Sequence, residues 1–176
     1  MGMISSILVG VLSSFVASAL FLFCLFRVRP KIVISPHIAV TTEPDGKKMY
    51  RLKIVNKTIR PIVNIHCRLL LSQPKNVPDG IMITSDRIPL KAEHVFEIPR
   101  YDIRNKEANY ARRFVCDENI EAIWQGQDGS YLKFTVMASD SLSGFSKVFT
   151  KEFHTKKNCI VEGSHRFGDS LEILAV

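Results

Sequence analysis

Four cysteines and five histidines are the residues best suited to metal or nucleophilic chemistry in this chain. His66 abuts Cys67, and His154, Cys159 and His165 fall close together near the end. Zinc sites place ligands at short, set spacings such as C-x-x-C, and no two cysteines here have one. Neighbouring residues of a strand point to opposite faces, so His66 and Cys67 would not meet at one ligand. Cys67 lies inside an alternating apolar stretch, where cysteine ordinarily packs as core. In Asp140-Ser141-Leu142-Ser143-Gly144 the serines stand beside an acid, but turn formation accounts for that composition. There is no GxSxG, no phosphate loop and no GxGxxG. The chain is therefore expected not to be an enzyme, and no metal or other cofactor is called for.

Anion binding is the other chemistry on offer. Arg112, Arg113, Lys147 and Lys151, with Lys156 and Lys157, supply cations late in the chain, and the first four are candidates for a small anionic, nucleotide-like ligand. The chain holds 24 basic and 17 acidic side chains. This excess is spread along the sequence rather than concentrated as in nucleic-acid readers, so nucleic acid is not an expected partner. Phe145, Phe149 and Phe153 share a face and read as core before they read as a ligand-stacking platform.

The element that positions everything else is Met3 to Phe26, which has no charged residue. As a helix it is about 36 Å long, enough to cross a hydrocarbon core of roughly 30 Å. Arg27-Val28-Arg29-Pro30-Lys31 comes next, three cations beside a proline that stops the helix. A cleaved signal peptide would carry its cations before a shorter run and a small-residue cleavage site after it. Here the cations come after the run, and Phe23 to Phe26 is bulky. The positive-inside rule then places the C-terminal part of the chain in the cytoplasm, at the inner face of a plasma membrane. Residues 1–30 are the transmembrane helix and its basic stop, and 31–176 a single cytoplasmic domain. Within the helix Gly2, Ser6, Gly10, Ser14 and Ser18 recur every fourth position, with Ser13 and Ala17 on the same side. Such a seam of small residues lets a second helix approach closely, so a homo-oligomer is expected.

The domain reads as strands. Lys31 to Thr41 is a first strand broken at Ser35-Pro36, and residues 42–47 form a turn. Tyr50 to Asn56 alternates, and Val63, Ile65, Cys67, Leu69 and Leu71 alternate most clearly of all. Ser72 to Gly80 reads as a loop, Ile81 to Leu90 as mixed, and Ala92 to Ile98 as a strand. Tyr101 to Arg113 is polar, with room for one helical turn. Arg113 to Cys116 and Ile120 to Trp124 are weaker strands, and residues 125–130 form a turn. Tyr131 to Ala138, Phe145 to Phe153, Cys159 to Glu162 and Phe167 to Leu174 complete the set. Eight or nine short strands at this spacing predict a mainly β fold, an immunoglobulin-like β-sandwich or small barrel, after one transmembrane α-helix. The domain's three cysteines, odd in number and without C-x-x-C, suit reduced thiols.

From Arg29 onward the order of features resembles the cytoplasmic domain of inward-rectifier potassium channels. Arg29-Pro30-Lys31 matches the linker of that family. Ser35, Ala39-Val40 and Asp45-Gly46-Lys47 match its first strand and turn, Arg51 to Asn56 and Arg68 to Leu71 the next two strands, and His165-Arg166-Phe167 the closing segment. The chain departs from the family in having one membrane helix and no Thr-x-Gly-Tyr-Gly filter, so the resemblance does not extend to potassium conduction. It implies a sandwich docked just beneath the bilayer, with Arg27, Arg29 and Lys31 meeting membrane lipid headgroups.

Two functions are compatible with this. The first is a non-enzymatic, membrane-anchored β-domain for self-assembly or for binding a protein partner whose identity the residues do not reveal. The second is an effector whose β-domain senses a small anion and whose helices then perturb the bilayer.

Overall fold

The computed structural model describes residues 2–105, 107–124 and 129–175. It is mainly β, with one long N-terminal helix. Helix α1 (Gly2–Arg27) contains no proline or charge before its last residue. It ends where Val28 N–H donates to the Leu25 carbonyl at 3.0 Å, just before Pro30, a residue that cannot continue the ladder. Its large apolar side chains are exposed from Ile7 to Phe23, with Phe15 74% exposed. The 22 residues Ser6–Arg27 have a mean hydropathy of 2.4, so the helix is long and apolar enough to cross a membrane.

Strands β1 (Ile32–Ile34) and β2 (Ile38–Thr42) are separated at Ser35-Pro36, as the sequence predicts. The Ser35 hydroxyl donates to the His37 carbonyl at 2.9 Å and accepts from its N–H at 3.3 Å, closing a local turn. A tight turn with Gly46 at φ +80° leads into β3 (Lys48–Asn56). Strand β4 (Ile62–Val77) is longer than expected and continues through the segment read as a loop. Val77 pairs with Gly80, so only Pro78-Asp79 turn the chain into β5 (Gly80–Ile88). The prolines that suggested a loop serve a hairpin tip and a stretch where β4 has lost its second neighbour, since its pairing with the next long strand ends at Ser72.

Strand β6 (His94–Ile98) pairs with the first half of β4, and β7 (Ala111–Cys116) with β3. Residues 120–123 form a short helix, α2 (Ile120–Ile123), not the strand expected. Asn119 caps it by accepting from Ala122 N–H at 3.1 Å, and a helix brings Ile120 and Trp124, four apart, onto the same buried side. The turn expected at 125–130 lies outside the described residues at positions 125–128. Strands β8 (Tyr131–Asp140) and β9 (Ser146–Phe153) form the next hairpin. Helix α3 (Lys156–Cys159) and strands β10 (Ile160–Glu162), β11 (Ser164–His165) and β12 (Ile173–Leu174) finish the chain.

In the first sheet β3 is central, with β7 on one edge and β1 and β2 in succession on the other, and β10 lies parallel to β2. The second sheet centres on β4 and β8, flanked by β5, β6 and β9. Both sheets contribute alternate residues to one core, where Phe114 of the first meets Phe134 of the second at 6.1 Å between ring centres. One bulge interrupts the clearest alternation. Asn64 has φ +51°, and the register shifts between Val63 and His66. The core position expected for Val63 is therefore taken by Ile62, while Ile65, Cys67, Leu69 and Leu71 are buried as predicted.

A smaller apolar cluster of Val55, Ala108 and Tyr110, with Tyr101 and Leu171 against it, covers the outer face of the first sheet. The C-terminal residues lie over that face. Gly163 lets β11 and β12 pair closely within that segment, because a Cβ there would stand 2.1 Å from the Leu174 carbonyl oxygen.

Candidate functional site

The seven small residues proposed for helix pairing all lie on α1. At about 100° per residue they fall within roughly 160° of its circumference, and Phe21 closes the face beyond Ser18. The Ser6 hydroxyl donates to the Gly2 carbonyl at 2.9 Å and Ser13 to the Gly10 carbonyl at 3.0 Å. Those hydroxyls are thus satisfied within the helix, and the face offers closeness of approach more than spare donors. Gly10, Ser14 and Ser18 line a shallow groove bordered by Val11 and Phe15.

The helix does not end on a free tether. Phe26 stacks on Phe145 with ring planes 14° apart and centres at 6.1 Å. The Ser143 hydroxyl donates to the Val28 carbonyl at 2.9 Å. Lys31 N–H donates to the Thr58 hydroxyl at 2.9 Å, and the Lys31 carbonyl accepts from Lys57 N–H at 2.7 Å. Asp140 builds the gripping loop. Its carboxylate, fully buried, accepts from Leu142 and Ser143 N–H, each at 3.0 Å, and from Arg60 Nε at 3.1 Å. Burial pushes this carboxyl up, but the two N–H donors and Arg60 outweigh it and hold it below the ordinary aspartate range. In the sequence Asp140, Ser143 and Phe145 read as turn and core residues, because the helix end they grip lies more than a hundred positions away.

Of the basic stop, Arg27 lies over Phe23 at 5.4 Å and Arg29 over Phe26 at 4.6 Å. Both, with Lys31, border a hollow at the helix end, and Lys147 borders the same hollow. The four late cations are therefore not brought together. Lys147 stands at the helix junction, and Lys151 lies further along β9 opposite Phe134. Phe153 is core as expected, whereas Phe149 is only partly buried against the core and Phe145 turns to the helix.

Arg112 and Arg113 line a hollow of about 280 Å³ on the first sheet, together with Lys53, which strand alternation marks as an outward polar residue. Lys53 is 1% exposed. Its ammonium donates to the carbonyls of Arg166 at 2.6 Å and Ser170 at 2.7 Å. Arg113 Nη2 donates to the His165 carbonyl at 3.0 Å. Burial, then the neighbouring Arg113, push the Lys53 ammonium down to about 8. Asp169, the acid whose charge opposes this, is held by Lys57 at 2.9 Å and by the Tyr101 hydroxyl at 2.8 Å.

The histidines and cysteines take separate places, and among the described residues no three His, Cys, Asp or Glu side chains gather as a metal site. All four cysteines are free. Cys67 is core, and burial pushes its thiol up to about 12, far from thiolate chemistry. His66 faces the other way, its ring tilted 34° against that of His94 with centres at 4.5 Å, in an outer hollow of about 630 Å³ that Arg68 and Met137 also line. His165 is buried, its Nε2 at 3.1 Å from the Ser35 hydroxyl, and burial pushes its imidazole down to about 4. No protein-family model matches the chain, and no curated protein matches it in sequence.

Proposed function

We propose that this protein is a single-pass, membrane-anchored β-domain without enzymatic activity, which self-assembles and presents a protein-binding surface at the inner face of a plasma membrane. The observation that carries the reading is the pairing of an exposed apolar helix with a hydrogen-bonded, ring-stacked joint at its end. Helix association would then set how neighbouring domains face one another. Two sheets sharing one core of alternating residues support an immunoglobulin-like sandwich for the domain. The three cations after the helix support a cytoplasmic domain and contact with anionic headgroups.

The test is association of the full chain in bilayers, by energy transfer between labelled copies. Gly10→Ile with Ser14→Ile fills the groove and should weaken association about tenfold or more, which corresponds to about 1.4 kcal/mol. Unchanged association would remove the seam from the proposal.

The second reading, an anion-sensing effector that perturbs the bilayer, draws support from the cations gathered at Lys53. Depolarisation of cells expressing the full chain, absent from cells expressing a chain that begins at Lys31, would favour it over the first.

A further inference from the structure

We propose that His66, His94 and Met137 form a binding site for a single copper(I) ion. They occupy one row across the second sheet, His66 of β4 standing opposite His94 of β6 on one side and Met137 of β8 on the other. Opposed residues of a ladder project to the same face, and this is the outer one, because Cys67, the next residue of β4, is core. The histidines also form the closer kind of antiparallel pair. Cys67 N–H donates to the Glu93 carbonyl at 2.7 Å, which makes that the hydrogen-bonded pair and leaves His66 and His94 as the non-hydrogen-bonded pair beside it. Their ring centres are 4.5 Å apart. Two imidazoles held by one ion through bonds of about 2.0 Å have ring centres roughly 4.5–6.5 Å apart, so this pair is spaced to close on an ion by turning the rings alone.

The donors and the charge select the ion. Imidazole and thioether are uncharged, and a thioether suits Cu(I), where zinc sites draw on thiolate, imidazole or carboxylate. The hollow of about 630 Å³ around the three residues is also lined by Arg68, Arg87 and Glu93. Glu93 accepts from Arg87 through both carboxylate oxygens, Oε1 from Nε at 3.2 Å and Oε2 from Nη2, so its charge is already engaged. Two arginines against one acid leave this wall positive by one formal charge. A monovalent ion meets half the repulsion there that a divalent ion does, which again favours Cu(I) over zinc. Val148, opposite Met137 on β9, continues the row as an apolar flank. The site does not depend on helix pairing.

The test is competition for Cu(I) against bicinchoninate, whose copper complex is coloured, with the full chain in detergent under ascorbate. Free cysteines also bind Cu(I), so each variant keeps all four and is compared with the parent. The parent should withdraw about one equivalent of copper more than His66→Gln or His94→Gln, and Met137→Leu should weaken the binding of that equivalent about tenfold. His66, His94 and Met137 are exposed, so none of these changes removes core, and the emission of the buried Trp124 checks that each variant is folded. Zinc in excess should leave the copper in place. The proposal is overturned if His66→Gln or His94→Gln withdraws as much copper as the parent, if Met137→Leu binds as the parent does, or if zinc displaces the ion.

Discussion

Asp140→Asn isolates the loop that grips the N-terminal helix. The asparagine keeps one oxygen for the N–H groups of Leu142 and Ser143, both at 3.0 Å, but sets an NH2 where the second carboxylate oxygen accepts from Arg60 Nε at 3.1 Å. A donor then faces a donor. Loss of a charge-assisted hydrogen bond costs about 1.5–3 kcal/mol. Stranding a buried partner costs about 3–5 kcal/mol, but the Arg60 side chain is 25% exposed and can turn to water, which puts the loss near 2 kcal/mol. The chain's one tryptophan, Trp124, is buried and reports unfolding by its emission. Urea titration of the full chain in detergent should show a midpoint lowered by about 1 M. The pH dependence supplies a second check. A carboxyl held below its ordinary value stabilises the fold above the unfolded pKa, about 3.9, and loses that contribution as pH falls through the folded value. The gap between parent and variant should stay constant from about pH 7 to 5 and close below about pH 4. A gap under about 0.5 kcal/mol at neutral pH, or one that persists in acid, would refute the role given to Asp140.

Two further titrations are expected. The Lys53 ammonium, lowered to about 8, binds fewer protons in the folded chain than in the unfolded one, so stability should rise between about pH 8 and 10.5. Lys53→Met should abolish that rise in a urea series. His165, lowered to about 4, must charge on unfolding in mild acid, so stability should fall as pH drops from about 6.5 towards 4. His165→Gln should flatten this slope, read by amide exchange across β11 and β12.

The elements legible in the sequence were those with a local cause. The charge-free run before Arg27, the broken strand at Ser35-Pro36 and the alternation from Ile65 to Leu71 each arise from side-chain type and period. Sequence and structure differ where a local signal has two solutions. Proline and glycine in residues 72–80 suit a loop, but equally a two-residue hairpin tip beyond the reach of a neighbouring strand. Ile120 and Trp124 suit a strand by alternation and a helix by spacing, and the Asn119 cap decides. The basic residues were hardest, because charge alone does not say which sheet carries it. Arg113 meets Lys53 through the β3–β7 register and Arg112 borders the same hollow, while Lys147 belongs to the helix junction.

If the helices pair as proposed, the joint between helix and domain decides how far that pairing is felt in the β-domain. With a free linker, pairing of two helices would raise the local concentration of the domains but leave their relative orientation random. Residues 25–31 instead make a ring stack with Phe145, accept a hydrogen bond from Ser143, and share two more with Lys57 and Thr58. These contacts reach both sheets, since Phe145 adjoins β9 and Thr58 lies just past the end of β3. Rotation of the helix about its axis is thereby resisted from two sides of the domain. Thr58 also lies at the end of β3 that carries Lys53 and, through the ladder, Arg112 and Arg113. The junction and the basic hollow thus both adjoin β3, and coupling between them would require that end of β3 to have two arrangements, each favoured by one of the sites.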